Sequence, residues 1–136
     1  MARLVDTGLW IDLTRARSPQ AVKNFVAPYI NDSDACLAEP IVFELLLHAT
    51  DAEARQLVAL FQSVPRLADP ADLWSRAARL GQACRKAGIT VGGMDLLIAE
   101  VCIHHSAELI TFDDDFQKIA GVSALQVKLL TRPALP

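Results

Sequence analysis

Three consecutive carboxylates near the end of the chain have the type and spacing that metal chemistry requires. Residues 109–116, LITFDDDF, place Asp113, Asp114 and Asp115 directly after a short apolar run and a threonine. Adjacent carboxylates repel one another unless water or a cation lies between them. An apolar run that stops at such a cluster is typical of a buried strand that leads into a polar site. One Asp could instead cap a helix over residues 115–120, although a cap needs only one acid.

Other acids stand alone in apolar surroundings. Asp6 follows the apolar pair Leu4 and Val5, Glu44 lies within IVFELLLHA, and Asp95 begins MDLLIAEVCIHH. A helix that is apolar on nearly all sides is predicted to be buried, and a lone carboxylate in it is costly unless it is paired or bound to a cation. The plainer alternatives are an N-cap role for Asp95 and a Glu44 side chain that reaches solvent.

The order of the predicted elements explains how these distant acids could meet. Apolar runs and helical repeats alternate as strand, helices, strand, helices, strand, helix and strand. This order predicts an α/β fold with a central, mostly parallel sheet of about four to five strands flanked by helices, in a single domain over residues 1–136. Parallel strands end at a common edge, so the acids that follow them are expected to converge there. The pattern also predicts an edge strand over residues 64–67, a last strand over 124–130 and a loose tail ending in Pro133 and Pro136.

The ligand types in this set favour a hard divalent cation. Oxygen donors without Cys or His select Mg²⁺ or Mn²⁺. Such a pocket suits phosphodiester cleavage, because a bound metal activates water and neutralises charge on the leaving oxygen. The cysteines Cys36, Cys84 and Cys102 lie far apart in apolar contexts and are expected to be reduced core residues.

The overall charge is compatible with an acidic pocket inside a mildly basic surface. The net charge of −3, from 13 basic and 16 acidic residues, argues weakly against nucleic acid as a partner. If five acids share a cation-filled pocket, 13 basic and 11 acidic residues remain outside it. The chain has neither an apolar run of membrane-spanning length nor a signal-peptide pattern, so a soluble, cytoplasmic protein without a membrane partner is expected.

Together these motifs resemble the PIN-domain family, and most closely the VapC-type ribonuclease toxins of type II toxin–antitoxin (VapBC) systems. The motifs are LVDTGLWID, EPIVFELL, GGMDLLIAE and ITFDDDF, in this order across nearly the whole chain. The resemblance implies a PIN-like three-layer sandwich and a metal-dependent endoribonuclease that cleaves tRNA, rRNA or mRNA. It also implies a homodimer whose site a small VapB-type antitoxin covers, in a heterotetramer or a larger assembly.

The resemblance assigns roles to particular residues. The expected catalytic acids are Asp6, Glu44, Asp95 and Asp113, and the expected metal ligands are Asp6, Asp95, Asp113 and Asp115. Of these, Asp6, Asp95 and Asp113 would hold the principal ion. The hydroxyls of Thr7 and Thr111 would support the acids or a metal-bound water.

Other acids are expected to play no part in the chemistry. Asp114 has no settled family counterpart and is expected in solvent, and Glu100 is expected in solvent or at an interface. The loop before Asp95 lacks an acid that some relatives carry, which predicts a weaker second metal site.

Two alternatives remain open at this point. A phosphoacceptor signalling domain also gathers acids around Mg²⁺, but it usually needs a lysine at the end of a strand. The corresponding strand end of this chain has Thr111 and Asp113 and no lysine. A catalytically idle PIN-like binding protein could use the acids to grip an arginine of a partner. The basic residues expected to hold RNA are scattered: Arg15, Arg17, Arg76, Arg79, Arg85 and Lys86. The sequence leaves the RNA target, the number of metals and the dimer face open.

Overall fold

The computed structural model describes residues 1–134 of the chain. Strands and helices alternate along it in the order that the sequence predicts. The elements are β1 (Arg3–Val5), α1 (Thr7–Thr14), α2 (Gln20–Ile30), β2 (Ala35–Cys36), α3 (Glu39–Leu47), α4 (Asp51–Phe61), α5 (Leu73–Lys86), α6 (Gly93–His105), β3 (Glu108–Thr111), α7 (Asp115–Ala120) and β4 (Gln126–Leu129).

Within the described residues 1–134, the sheet has four strands in the order β2–β1–β3–β4, and every neighbouring pair is parallel. The predicted α/β fold is therefore confirmed. The prediction of a strand over residues 64–67 is wrong, because only an isolated parallel bridge joins Leu37 to Arg66 there. Its backbone bonds run from Leu37 N to Pro65 O and from Leu67 N to Leu37 O, both at 2.8 Å.

The central strands form the floor of the core. Leu4, Val5, Leu109 and Ile110 are almost completely buried, as expected for parallel strands covered by helices on both faces. Trp10 of α1 is fully buried, and its ring meets Phe61 of α4 edge to face with the centroids 5.5 Å apart. The three cysteines are buried and unpaired, which agrees with the prediction of reduced core residues.

Helix α3 is not buried on all sides, which corrects the sequence-based prediction. Phe43, Leu46 and Leu47 expose 54%, 37% and 59% of their surface, whereas Ile41 and Leu45 lie in the core. The helix packs against α1, α4 and α6 along one face. Within residues 1–134, no other element lies over the opposite face. Apolar composition therefore predicted correctly that α3 contacts the core, but it did not predict how much of the helix surface other elements cover.

Glu100 was expected in solvent or at an interface, and the first of these alternatives is wrong. Glu100 is only 8% exposed, because α5 packs against the side of α6 that carries it. Burial raises the pKa of its carboxyl group, and the nearby Arg76 and Arg79 oppose that shift. In the part of the chain that the structure describes, no helix is both long enough and apolar enough to cross a membrane.

Candidate metal centre

Two of the acids reach the same sheet edge because two neighbouring parallel strands end there. Asp6 follows β1 and occupies the N-cap position of α1, while Asp113 lies two residues beyond the end of β3. The strands pair in register with Val5 opposite Ile110. The backbone N–H of Asp6 donates to the carbonyl of Ile110 at 2.9 Å, which continues the pairing to the mouth of the site.

The other two acids come from helices that pack over this edge. Glu44 lies in α3, which contacts α1, and Asp95 lies in the first turn of α6. Gly92, not Asp95, occupies the N-cap position of α6, so the capping alternative for Asp95 is wrong. The four acids border one open cavity of about 400 Å³. Its lining residues are Asp6, Thr7, Gly8, Glu44, Asp95, Phe112, Asp113 and Arg132.

Hydroxyl and backbone donors hold the Asp6 and Glu44 carboxylates in place. The Thr111 hydroxyl donates to Asp6 Oδ2 at 2.6 Å, and the backbone N–H of Thr7 donates to Asp6 Oδ1 at 2.8 Å. The Thr7 hydroxyl donates to Glu44 Oε1 at 2.8 Å. Thr7 therefore links the acid at the end of β1 to the acid of α3.

The same chain of hydrogen bonds continues into the acidic segment. The Thr111 hydroxyl accepts from the backbone N–H of Asp113 at 3.0 Å, and Asp113 Oδ1 accepts from the N–H of Asp115 at 2.9 Å. Asp113 thus contacts the backbone at the start of α7. The N-cap position is Asp114, whose side chain makes no cap bond, so the plainer interpretation of an N-capping Asp is wrong. Asp115 Oδ1 accepts from Lys118 Nζ at 3.2 Å. Asp114 is exposed, as predicted, and makes no side-chain cap bond.

Burial and the repulsion between neighbouring carboxylates disfavour the ionised forms of Asp6 and Asp95. Burial raises the pKa of Asp6 to about 6, the bonds from Thr111 and Thr7 oppose this, and the charges of Glu44 and Asp113 add to it. The pKa of Asp95 also rises to about 6, first through burial and then through Asp113 and the other pocket acids. A divalent cation would relieve this excess of negative charge.

Within residues 1–134, one group of carboxylates is close enough to share an ion. Asp95, Asp113 and Asp115 each offer an oxygen within 4.8 Å of the others. These oxygen-only donors fit Mg²⁺ or Mn²⁺. Asp6 was predicted as a member of the principal triad, whereas the third member of the tightest group is Asp115. Both Asp6 oxygens already accept hydrogen bonds, and Asp6 lines the same cavity as Asp95 and Asp113, whereas Asp115 lies outside that lining.

Three residues of the cavity wall, Gly8, Phe112 and Arg132, were not predicted from the sequence as site residues. The tail was expected to be loose, yet Arg132 Nε donates to Asp12 Oδ2 at 2.9 Å, and its guanidinium carbon lies 4.2 Å from the centre of the Phe112 ring. The prediction is therefore wrong for this part of the tail, while Pro136 lies outside the described residues. The sequence did contain a signal for Arg132. A last strand parallel to the others must end at the same sheet edge as the acids, so the residues that follow it are expected near the site.

Comparison with known proteins identifies the family. The PIN domain model matches residues 3–122. A VapC ribonuclease of Mycobacterium bovis and ribonuclease VapC11 of Mycobacterium tuberculosis are each 35% identical to this chain over 128 residues, which is 90% of this chain and 95% of theirs.

Solved structures share the fold at lower identity. VapBC2 of Rickettsia felis, solved bound to a promoter DNA fragment, matches with a TM-score of 0.76 and 15% identity, over 96% of this chain and 100% of that one. VapBC-1 of nontypeable Haemophilus influenzae matches with a TM-score of 0.70 and 22% identity, over 95% and 98% of the two chains. The chain belongs to the PIN-domain family and, within it, to the VapC ribonucleases.

Proposed function

We propose that this chain is a metal-dependent endoribonuclease toxin that a cognate antitoxin neutralises. The observation that carries the proposal is the convergence of Asp6, Glu44, Asp95 and Asp113 on one cavity at the end of a parallel sheet. The 35% identical relatives are named as ribonucleases, which supports RNA as the substrate class. The raised pKa values of Asp6 and Asp95 support a bound divalent cation, because few other arrangements tolerate so many adjacent carboxylates.

In the proposed mechanism, Asp95, Asp113 and Asp115 would hold Mg²⁺ or Mn²⁺, and Asp6 lines the cavity with two of them. A bound ion would supply activation of a water and neutralisation of charge on the phosphodiester. Thr7 and Thr111 keep the Asp6 carboxylate in one orientation, so its oxygens are preorganised to accept hydrogen bonds from a water in the cavity. Glu44, held by the Thr7 hydroxyl, provides a second fixed acceptor in the cavity lining.

Replacing Asp6 by Asn tests the activity. We expect Asp6→Asn to reduce Mn²⁺-dependent RNA cleavage by about 100-fold or more, because it removes a charge from the metal environment while keeping the shape of the side chain. Asp114→Asn is the matched control, since Asp114 is exposed and makes no cap bond, and its activity should stay within about twofold of wild type. The measurement is cleavage of purified bacterial RNA by the isolated protein, with and without Mn²⁺.

The RNA cleavage assay tests the first alternative, and phosphate uptake tests the second. A catalytically idle binding protein would leave RNA intact in Mn²⁺ even when freed of its partner, and that result would end the proposal. A phosphoacceptor domain would take up phosphate from a small phosphodonor, which family membership does not support. Equal cleavage by wild type and Asp6→Asn would instead point to a contaminating nuclease.

The proposed partner is a VapB-type antitoxin, and the proposed assembly is a homodimer that becomes a heterotetramer or a larger complex with it. Solved relatives of the same fold were crystallised as VapBC complexes, which supports this choice. Induction of the wild-type chain in a bacterial host should stop growth, and co-expression of a short protein from a neighbouring reading frame should restore it. Light scattering of the purified 14.8 kDa chain would test for a twofold mass.

A further inference from the structure

We infer that Arg132 is the residue through which the pocket binds a phosphate of the RNA backbone next to the metal site. The inference rests on the proposed ribonuclease function and assigns substrate binding to a residue of the C-terminal tail. It is carried by the position of Arg132 in the cavity wall, by the contacts that hold its guanidinium there, and by the charge of the acids around it.

Sheet topology brings Arg132 to the site. β4 pairs in parallel with β3, with Leu129 opposite Thr111. The backbone N–H of Leu130 donates to the Thr111 carbonyl at 2.8 Å, and Leu130 is buried, so the chain is anchored where it leaves the sheet. Arg132 comes two residues later and therefore begins at the edge where the acids converge.

Two contacts hold the guanidinium of Arg132, a residue of the cavity lining. It lies on the ring of Phe112, which is itself stacked on Phe25 with centroids 6.2 Å apart and planes 30° apart. Asp12, whose side chain is only 16% exposed, accepts from Nε at 2.9 Å. Nη2 lies close to Gly8, 3.4 Å from the position that a Cβ would take there. An arginine held in this way loses little conformational freedom when it binds an anion.

The charge of the cavity requires a cation of this kind. Four carboxylates line it, so even with one divalent ion the wall remains negative and repels a phosphodiester. Among the described residues 1–134, Arg132 is the one basic side chain in the lining. The bond to Asp12 uses one of its five N–H donors, so the terminal nitrogens can still engage a phosphate in the fork geometry that arginine favours. The side chain is 51% exposed and is therefore accessible to RNA.

The basic residues that the sequence analysis named for RNA binding lie outside this lining. They could add non-specific attraction to RNA, but Arg132 is the one placed to contact a phosphate within the cavity. The predicted consequence is a division of roles, in which the carboxylates hold the ion and Arg132 holds the backbone.

Arg66 offers a matched control, because its surroundings resemble those of Arg132 but it lies outside the cavity lining. Arg66 also pairs with an acid, Glu39, at 2.6 Å, and its guanidinium carbon lies 6.0 Å from the centre of the Phe61 ring. It is 45% exposed and does not line the cavity. Arg132→Gln, Arg132→Lys and Arg66→Gln should therefore be compared in the full-length chain.

The first measurement is binding of a fluorescein-labelled RNA hairpin to protein carrying Asp6→Asn, so that RNA stays intact and binding is scored separately from cleavage. We expect Arg132→Gln to weaken binding by about 10- to 100-fold and to lower the salt dependence by about one phosphate contact. Arg132→Lys should recover part of the loss, and Arg66→Gln should bind within about twofold of its parent. None of the three variants should weaken the affinity for Mn²⁺ alone, because removing a positive charge from the cavity wall cannot disfavour a cation.

The second measurement replaces single phosphates of the hairpin by neutral methylphosphonates. If Arg132 contacts one of them, the penalties of Arg132→Gln and of that replacement will not add, whereas they will add at every other position. Additive penalties at all positions, unchanged RNA binding by Arg132→Gln, or a loss that appears only as weaker Mn²⁺ binding would each overturn the inference. RNA binding that depends on Arg132 without any cleavage by wild type would support the inference and refute the proposed function.

Discussion

The side chain that connects the most parts of the site is Thr111. It is completely buried, donates its hydroxyl hydrogen to Asp6 and accepts the backbone N–H of Asp113. One hydroxyl thus contacts two acids, Asp6 and Asp113, that lie 107 positions apart in the sequence. Because both bonds are buried or partly buried, removing the hydroxyl leaves two polar groups without a partner.

Thr111→Val should test this connection. The substitution keeps the shape of the side chain, so we expect it to cost about 1–3 kcal/mol in the free energy of unfolding through the lost hydrogen bonds. RNA cleavage should fall by about 10-fold or more, because Asp6 is no longer held in one orientation. Urea unfolding and single-turnover cleavage measure the two effects. Thr111→Ser keeps the hydroxyl, and a loss as large as that of the valine variant would argue against the hydrogen-bonding role.

Affinity for the divalent cation should depend on pH through Asp6 and Asp95. Each has its pKa raised to about 6 in the metal-free protein, so lowering the pH from 7.5 to 5 protonates both groups. Because a cation must displace those protons, we expect Mn²⁺ affinity at pH 5 to be about 10-fold weaker or more. Calorimetric titration measures it. An affinity that stays constant over this range would mean that neither carboxylate takes part in binding.

At the scale of elements, the packing of α5 on α6 sets where Asp95 lies. Gly81 of α5 faces Leu96, and a Cβ at position 81 would lie 3.0 Å from Leu96 Cδ1. The contact is with the flexible end of a side chain, so a methyl group can be accommodated, but a larger group would push the helices apart. Leu96 follows Asp95 in α6, so a shift of α6 would move Asp95 relative to the other acids of the metal centre.

The pair Gly81→Ala and Gly81→Leu tests this packing. We expect the alanine variant to be close to neutral, since a gain in helix propensity of about 1 kcal/mol offsets the tight contact. The leucine variant should lower the free energy of unfolding by about 1–3 kcal/mol and should also weaken Mn²⁺ binding. Urea unfolding and metal titration are the measurements. A leucine variant as stable as wild type would show that the two helices are not held at this distance.

At the scale of the whole molecule, the acidic pocket should make stability depend on pH and on metal. The folded chain binds protons at Asp6 and Asp95 more tightly than the unfolded chain, in which their pKa is near 3.8. Their contribution to stability is therefore fully present below about pH 4 and is lost as the pH rises through about 6. The metal-free protein carries this electrostatic cost at neutral pH.

Thermal unfolding of wild type and Asp6→Asn measures that cost. Between pH 5 and 7.5 without metal, wild type should lose more stability than Asp6→Asn, which has no charge to bury at this position. Mn²⁺ at about 100 times its dissociation constant should restore roughly 2.7 kcal/mol to wild type, and less to the variant. Parallel pH profiles for the two proteins, or a melting temperature that Mn²⁺ leaves unchanged, would contradict the prediction.

The local pattern of apolar residues was sufficient to predict the order of the elements and the parallel sheet. Short apolar runs separated by helical repeats can form few other folds, and parallel strands necessarily end at one edge. This reasoning also pointed to the edge where Asp6 and Asp113 lie, since each directly follows such a run. Their roles as metal ligands stay a prediction.

Tertiary structure alone decided what lies on each side of a helix and where the tail goes. The exposed face of α3 and the burial of Glu100 depend on which neighbour covers each helix, and no local pattern specifies the neighbour. The place of Arg132 depends on the register of β4 against β3 and on the Phe112 ring beneath it. Sequence patterns report the preference of a segment for burial, whereas contacts between distant residues are settled only when the whole chain packs.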